Sequence, residues 1–160
     1  MPNKYITPVV GQIYANRNGE MYRCTGNKTY PDDVVMQRTV ELGEHWCSMI
    51  RLSDGWAVKV HGVFQYEDGS IEWRFSSNGS FVAESLAQCW KTCGSDMYQY
   101  FEYLDDLRDS GEINMLGAVP YLQHKFLKLA FDRNQAKNVL QAWMDSYKDR
   151  SKDLADQFTV

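Results

Sequence analysis

The chain has 160 residues, of which 44% are hydrophobic and 24% charged, and its formal net charge is −4. This length suits one domain or two small ones, and the well-spread aromatic residues, with only four Pro, exclude a largely disordered protein. No apolar run approaches the roughly 18 residues of a membrane span, and the first ten residues lack a secretion signal. We therefore expect a cytoplasmic protein without a membrane partner.

Charge is distributed unevenly along the chain. The net charge is −1 over residues 1–83, −5 over residues 84–116 and +2 over residues 117–160. A nucleic-acid-binding protein normally carries a basic surface. This distribution argues against direct nucleic-acid binding, although the last segment could supply a local basic face.

The first half of the chain has the pattern of short strands joined by tight turns. Residues 12–16 and 20–24 flank Asn18-Gly19, and Asn-Gly between apolar runs favours a hairpin because both residues tolerate positive φ. The sequence predicts further strands and turns at residues 34–40, 56–61, Asp68-Gly69, 71–75, Asn78-Gly79 and 81–82. Five or six short strands predict a small antiparallel SH3-like β-barrel over residues 1–83.

In the second half, apolar residues recur at helical spacing. This spacing predicts a linking helix over residues 84–95 and a three-helix bundle over residues 96–150, followed by a C-terminal tail at residues 151–160. Gly111 is placed to end the first helix of the bundle, and Pro120 fits the first turn of the next one. The predicted fold class is therefore α+β.

The sequence contains no motif of an enzyme or of a metal site. It has no nucleophile elbow, phosphate-binding Gly loop or paired Cys-x-x-Cys, and its three histidines lie in separate predicted elements. Cys89 and Cys93 lie one helical turn apart, but Cys24 and Cys47 form no second pair with the spacing of a zinc site. We expect free thiols, no cofactor, no metal and no catalysis.

Acidic residues cluster around the end of the first bundle helix. Glu102, Asp105, Asp106 and Asp109 follow a 3, 1, 3 spacing that places them on one helical face, and Glu112 comes shortly after. Outward helix faces are usually charged simply because they contact water. The functional alternative is an acidic surface that binds a basic groove of a partner, and these five residues are its candidates.

A second candidate surface is aromatic. Most of the large aromatic side chains in the strand half are expected to lie in the core. The remainder could form an exposed patch, which on a small protein usually marks a partner site. Tyr66 and Trp73 flank the Asp68-Gly69 turn, and we expect such a patch there.

The last third of the chain resembles a short helical module of phage and prophage proteins. The segments YLDDLRDSGEINMLGAVPYLQHKF and AKNVLQAWM carry its pattern at Leu107, Arg108, Ser110, Gly111, Asn114, Met115, Gly117, Ala118, Pro120, Tyr121, Leu122, Ala136, Val139, Leu140, Trp143 and Met144. GQIYANRNGEMYRC, DGW and YEDGSIEW are similar to other small prophage proteins. FLKLAFDRNQ departs from the module, which has a shorter Phe-Gly-Leu turn. The bundle is also similar in outline to ubiquitin-associated-like domains.

The resemblance implies a phage origin and, with it, a class of function. Phage genomes carry small non-catalytic proteins that bind and inhibit host defence machinery, anti-CRISPR proteins among them, and a compact acidic protein fits this group. We expect a stoichiometric inhibitor of a host defence protein or ribonucleoprotein complex, with an RNA-guided nuclease as the leading target and an acidic surface that occupies its basic channel.

Two alternative functions remain open at this point. One is a phage DNA-binding accessory whose helical bundle contacts phosphates through Lys125, Lys128, Arg133 and Lys137. The other is a protein that sequesters or hydrolyses a signalling nucleotide, which would show as ligand-dependent thermal stabilisation.

Overall fold

A computed structural model describes residues 3–27 and 33–148 of the protein. These residues form seven strands: β1 (Lys4–Tyr5), β2 (Ile13–Ala15), β3 (Met21–Asn27), β4 (Trp46–Arg51), β5 (Trp56–Gln65), β6 (Ile71–Ser76) and β7 (Ser80–Phe81). They also form five α-helices: α1 (Val34–Glu41), α2 (Glu84–Cys93), α3 (Asp96–Ser110), α4 (Val119–Lys125) and α5 (Arg133–Lys148). The predicted α+β class is confirmed. The predicted tail at residues 151–160 lies outside the described residues.

The strands form one antiparallel sheet built around β5. Its order is β1-β5-β4-β3-β2, and β6 and β7 also pair with β5. The sheet is open, because within the described residues β2 pairs only with β3 and an isolated bridge between Asn16 and Ile71 is its one link towards β6. The closed SH3-like barrel of the prediction is therefore not confirmed.

The predicted hairpins are confirmed by the strand register. Tyr14 lies opposite Tyr22 across β2 and β3, and β5 pairs with β6 around the second turn. Glycine occupies both turns at positive φ, 92° at Gly19 and 87° at Gly69, a region in which an L side chain is strained. The short strand Ser80–Phe81 also forms, and it pairs with the beginning of β5.

The strand predicted at residues 34–40 is wrong, because this segment is helix α1. The side chain of Asp33 accepts a hydrogen bond from the Met36 N–H at 3.2 Å and so caps the first turn of the helix. The β-branched residues that suggested a strand, among them Val34 and Val35, are 80% and 75% exposed. Local capping thus prevails over β propensity where no neighbouring strand is present to pair with.

The protein has two hydrophobic clusters that meet at the sheet. One lies within the sheet and contains Tyr14, Tyr22, Cys24, Cys47, Met49, Val58, Val60, Val63 and Ile71. The other joins the helices to Ile50 of β4 and Ala57 of β5. Met49 and Ile50 belong to different clusters because successive residues of a strand point to opposite faces of the sheet. Helices α2 to α5 therefore cover one face of the sheet.

Helix α2 belongs to the helical layer and is more than a linker. Its buried residues are Leu86, Cys89 and Trp90. Ser85 Oγ donates a hydrogen bond to Asp145 of α5, and Gln135 Nε2 of α5 donates to Thr92 Oγ1 at 2.8 Å. Because α2 packs beside α5, helices α2 to α5 share one core, and a bundle of three helices is not confirmed. The domain boundary at residue 83 stays a prediction.

Arg23 of β3 fastens the sheet to the end of α2. Its guanidinium donates to the carbonyl oxygen of Lys91 at 2.8 Å and to that of Gly11. A cation at this position also interacts favourably with the negative end of the helix dipole. Gly94 comes directly after α2 and packs closely against this guanidinium. A Cβ at Gly94 would lie only 2.6 Å from Arg23 Nη1, so a larger residue would clash there.

We expect Gly62→Ala to destabilise the protein more than Gly69→Ala. Both glycines have positive φ, 65° and 87°, so each substitution should cost about 1–2 kcal/mol in backbone strain. At Gly62 the added methyl would also lie 2.7 Å from the carbonyl oxygen of Gly43, whereas nothing lies within 4 Å of it at Gly69. Urea unfolding of both variants measures the difference, and equal losses would contradict the tight packing at Gly62.

Candidate functional site

Helix α3 presents three of the predicted acidic residues to solvent. Its buried residues are Met97, Tyr100, Leu104 and Leu107, which fix the orientation of the helix. Glu102, Asp106 and Asp109 lie on the outside and are exposed, and we call these three residues the acidic face. Glu112 is also exposed but lies beyond the helix, which ends at Gly111 with a φ of 68°. Helical spacing placed Asp105 on the same face as these three residues, and for Asp105 the structure differs.

Asp105 has a different position from its acidic neighbours. Its carboxylate accepts a hydrogen bond from Trp143 Nε1 at 2.9 Å and another from the Tyr147 hydroxyl, both on α5. The side chain is half-buried and joins α3 to α5. The sequence signal for this contact is the pair of aromatic donors, Trp143 and Tyr147, one turn apart on α5.

Arg108 introduces a positive charge beside the acidic face. Its Nε lies 3.3 Å from Asp109 Oδ1, and its guanidinium carbon lies 5.0 Å from the centre of the Tyr147 ring. Burial, followed by the hydrogen bond to Asp105, raises the pKa of Tyr147, so its hydroxyl remains a donor at neutral pH. Arg108 is thereby held against the aromatic side chains of α5, and Glu102 and Asp106 keep their negative charge towards solvent.

Tyr66 and Trp73 line one cleft on the sheet. The cleft has a volume of about 210 Å³ and is lined by Tyr5, Gly62, Phe64, Tyr66, Glu72, Trp73 and Arg74. The Tyr66 hydroxyl donates to Glu72 at 3.0 Å, and the Arg17 guanidinium lies 4.0 Å from the Tyr66 ring centre. Trp73 is half-buried, with its ring centre 4.9 Å from that of Tyr22 in the sheet core. We call this site the aromatic cleft.

The four cysteines are free thiols, as the sequence predicted. Cys24, Cys47 and Cys89 are buried, while Cys93 at the end of α2 is partly exposed. Hydrogen bonding with Cys89, Thr92 and Gln135 lowers the pKa of Cys93 to about 7 although burial opposes this, and Gln135 Nε2 lies 2.8 Å from its sulfur. These contacts make the Cys93 thiol more acidic than an ordinary cysteine.

His45 is a buried histidine whose imidazole makes no hydrogen bond to any described residue. The side chain is 2% exposed, and both of its nitrogens lack a partner among residues 3–27 and 33–148. Burial, with a smaller contribution from nearby His61, lowers the pKa of His45 to about 4. The imidazole is therefore neutral at physiological pH.

Within residues 3–27 and 33–148, no three His, Cys, Asp or Glu side chains form a group that could hold a metal ion. No helix in the same part of the chain has the length and apolar character needed to cross a membrane.

We expect Asp105→Ala to destabilise the protein by about 2–3 kcal/mol, because it removes a charged acceptor from the buried end of Trp143. The matched control is Asp106→Ala, which removes an exposed carboxylate one residue away and should change stability by less than about 0.5 kcal/mol. Chemical denaturation with tryptophan fluorescence measures both. Similar effects for the two variants would show that the contact between α3 and α5 contributes little.

We expect His45 to make the protein less stable as the pH falls from about 6.5 to about 4. The folded pKa lies below the unfolded value, so the unfolded chain takes up the proton first, and about 3 kcal/mol should be lost by pH 4. His45→Leu should remove this part of the pH dependence. His124→Leu, at an exposed position, should retain it. Urea unfolding across the pH range tests both, and parallel curves for wild type and His45→Leu would contradict the assignment.

Comparison with known proteins gives no further identification. No protein-family model matches the chain, and neither the curated proteins nor the solved structures include a significant match. The similarity to phage proteins therefore stays a resemblance carried by sequence segments. The acidic face and the aromatic cleft are the two surfaces of the protein that suggest a function.

Proposed function

We propose that the protein is a phage-encoded, non-catalytic inhibitor that binds a host defence complex stoichiometrically in the cytoplasm of the host. The leading target is an RNA-guided nuclease, whose nucleic-acid channel is basic. The observation that carries the proposal is the exposed acidic face of Glu102, Asp106 and Asp109 on a helix whose opposite side is anchored in the core.

The arrangement of charge supports an electrostatic mode of binding. Residues 84–116 carry a net charge of −5, and the three carboxylates of the acidic face occupy successive turns of one rigid helix. Like charges at this spacing cost only a few tenths of a kcal/mol per pair, so the fold tolerates them. A preformed row of carboxylates can occupy a basic channel without first being ordered, which lowers the entropic cost of association.

The DNA-binding alternative loses part of its basis. Of its four basic residues, Lys128 lies with Nζ 2.7 Å from Asp96 Oδ2, and this hydrogen bond raises the pKa of Lys128. Its charge is thus partly matched by a carboxylate of the same chain, as the charge of Asp109 is by Arg108. A gel shift of duplex and of single-stranded DNA with the purified protein discriminates between the two functions. The inhibitor proposal expects that the protein binds neither DNA directly.

We expect the triple variant Glu102→Lys, Asp106→Lys, Asp109→Lys to lose inhibition of purified RNA-guided nucleases, with affinity reduced roughly tenfold or more. Asp105 is left unchanged because it joins α3 to α5. DNA-cleavage assays with increasing inhibitor measure the effect, and wild-type binding should weaken as salt is raised.

The matched control reverses three exposed acidic residues elsewhere, Glu41, Glu44 and Glu67, and so changes the net charge by the same amount. This control should retain inhibition if the acidic face is responsible. Both triple variants should unfold at nearly the wild-type temperature. Undiminished inhibition by the α3 variant, or equal loss in the two variants, would rule out the acidic face as the binding surface.

A further inference from the structure

The aromatic cleft has two walls of different chemistry. On the β1 and β5 side, the rings of Tyr5, Phe64 and Tyr66 form a row with successive ring centres 5.1 Å apart. The β6 side contributes Glu72 and Arg74, both exposed. The strand register places Tyr5 opposite Phe64 and Phe64 opposite Glu72, so the two walls belong to one face of the sheet. An apolar wall and a charged wall therefore run side by side.

The charged wall carries opposite charges at a fixed spacing. Glu72 and Arg74 are two residues apart on one strand, which places them on the same face at a separation of about 7 Å. The Tyr66 hydroxyl holds one oxygen of Glu72, and the Arg74 stem passes over Gly62, where a Cβ would lie 2.7 Å from Arg74 Cδ. Among the described residues, the Arg74 guanidinium has no hydrogen-bond or ion-pair partner, so its charge is available to a ligand.

An extended peptide matches this spacing. In an extended chain, side chains two residues apart point the same way at nearly the same separation, and the residue between them points to the other side. A volume of about 210 Å³ accommodates one such central side chain, whereas small-molecule sites usually need roughly 300 Å³ or more. The size of the cleft and the order of its charges therefore favour a peptide over a nucleotide.

We propose that the aromatic cleft binds an extended segment of a partner protein in which one basic and one acidic residue flank a single apolar residue. The basic side chain pairs with Glu72, the acidic side chain pairs with Arg74, and the apolar side chain packs on the row of rings. Exposed ion pairs contribute little individually, so a short peptide binds weakly and the two-residue separation of its charges determines specificity. This site is independent of the acidic face.

The experiment compares two blocked peptides of identical composition, Gly-Ser-Lys-Pro-Glu-Ser-Gly and Gly-Ser-Pro-Lys-Glu-Ser-Gly, by NMR titration of the full chain. Wild type should bind the first peptide several-fold more tightly, because only its charges lie two residues apart and point the same way. The double variant Glu72→Gln, Arg74→Gln removes the two charges of the cleft and should abolish that preference. Phe64→Ala should weaken binding of both peptides, because the apolar wall is interrupted.

The matched control is the double variant Arg38→Gln, Glu41→Gln on α1, which should leave the peptide preference unchanged. If the cleft double variant does not fold, Arg74→Gln replaces it, since this exposed side chain can change without loss of a partner, and the preference should fall towards none. Absence of binding by wild type, or an unchanged preference in a folded cleft variant, overturns the proposal. Neither result bears on nuclease inhibition, which is measured separately.

Discussion

The pairing of β5 with four other strands is the constraint on which both halves of the molecule depend. β1, β4, β6 and β7 all take their register from this strand of ten residues, and Ala57 near its start also packs into the helical core. Gly62 gives the strand a residue at a φ of 65° in the middle, where a side chain would meet Gly43 and Arg74. The aromatic cleft lies beside this point. Its shape therefore depends on the same backbone feature that organises the sheet.

Helix α3 shows how adjacent carboxylates acquire different roles. Asp105 faces two hydrogen-bond donors on α5, whereas Asp106, one residue later, faces solvent. The rotation of about 100° per residue in an α-helix is enough to separate a packing residue from a surface residue. The acidic face thus lies next to the hydrogen bonds between Asp105 and α5. These bonds hold α3 in place and so help to keep the acidic face rigid.

Local signals predicted much of this fold, and long-range contacts explain what they missed. Asn18-Gly19 and Asp68-Gly69 specify hairpins by backbone conformation alone, and the helices of the second half follow from apolar spacing. Val34 and Val35 led to the wrong prediction of a strand. Among the described residues this β-branched segment pairs with no strand, and Asp33 caps a helix instead. The open sheet and the packing of α2 on α5 depend on contacts between distant segments, as does the bond from Asp105 to Trp143, and periodicity carries no information about such partners. Tyr66 and Trp73 both line the aromatic cleft, but the Trp73 ring packs against Tyr22 of the sheet core, and no pattern in the sequence indicated the charged wall.

The position of β1 has a consequence for the order in which the chain can fold. Lys4 pairs with Gln65, so roughly sixty residues must be closed into a loop before this first strand has a partner. The helices of the second half need only local contacts to begin, and local contacts form faster than distant ones. During synthesis β1 thus remains unpaired until the end of β5 is available. Its pairing depends on a strand that is made about sixty residues later.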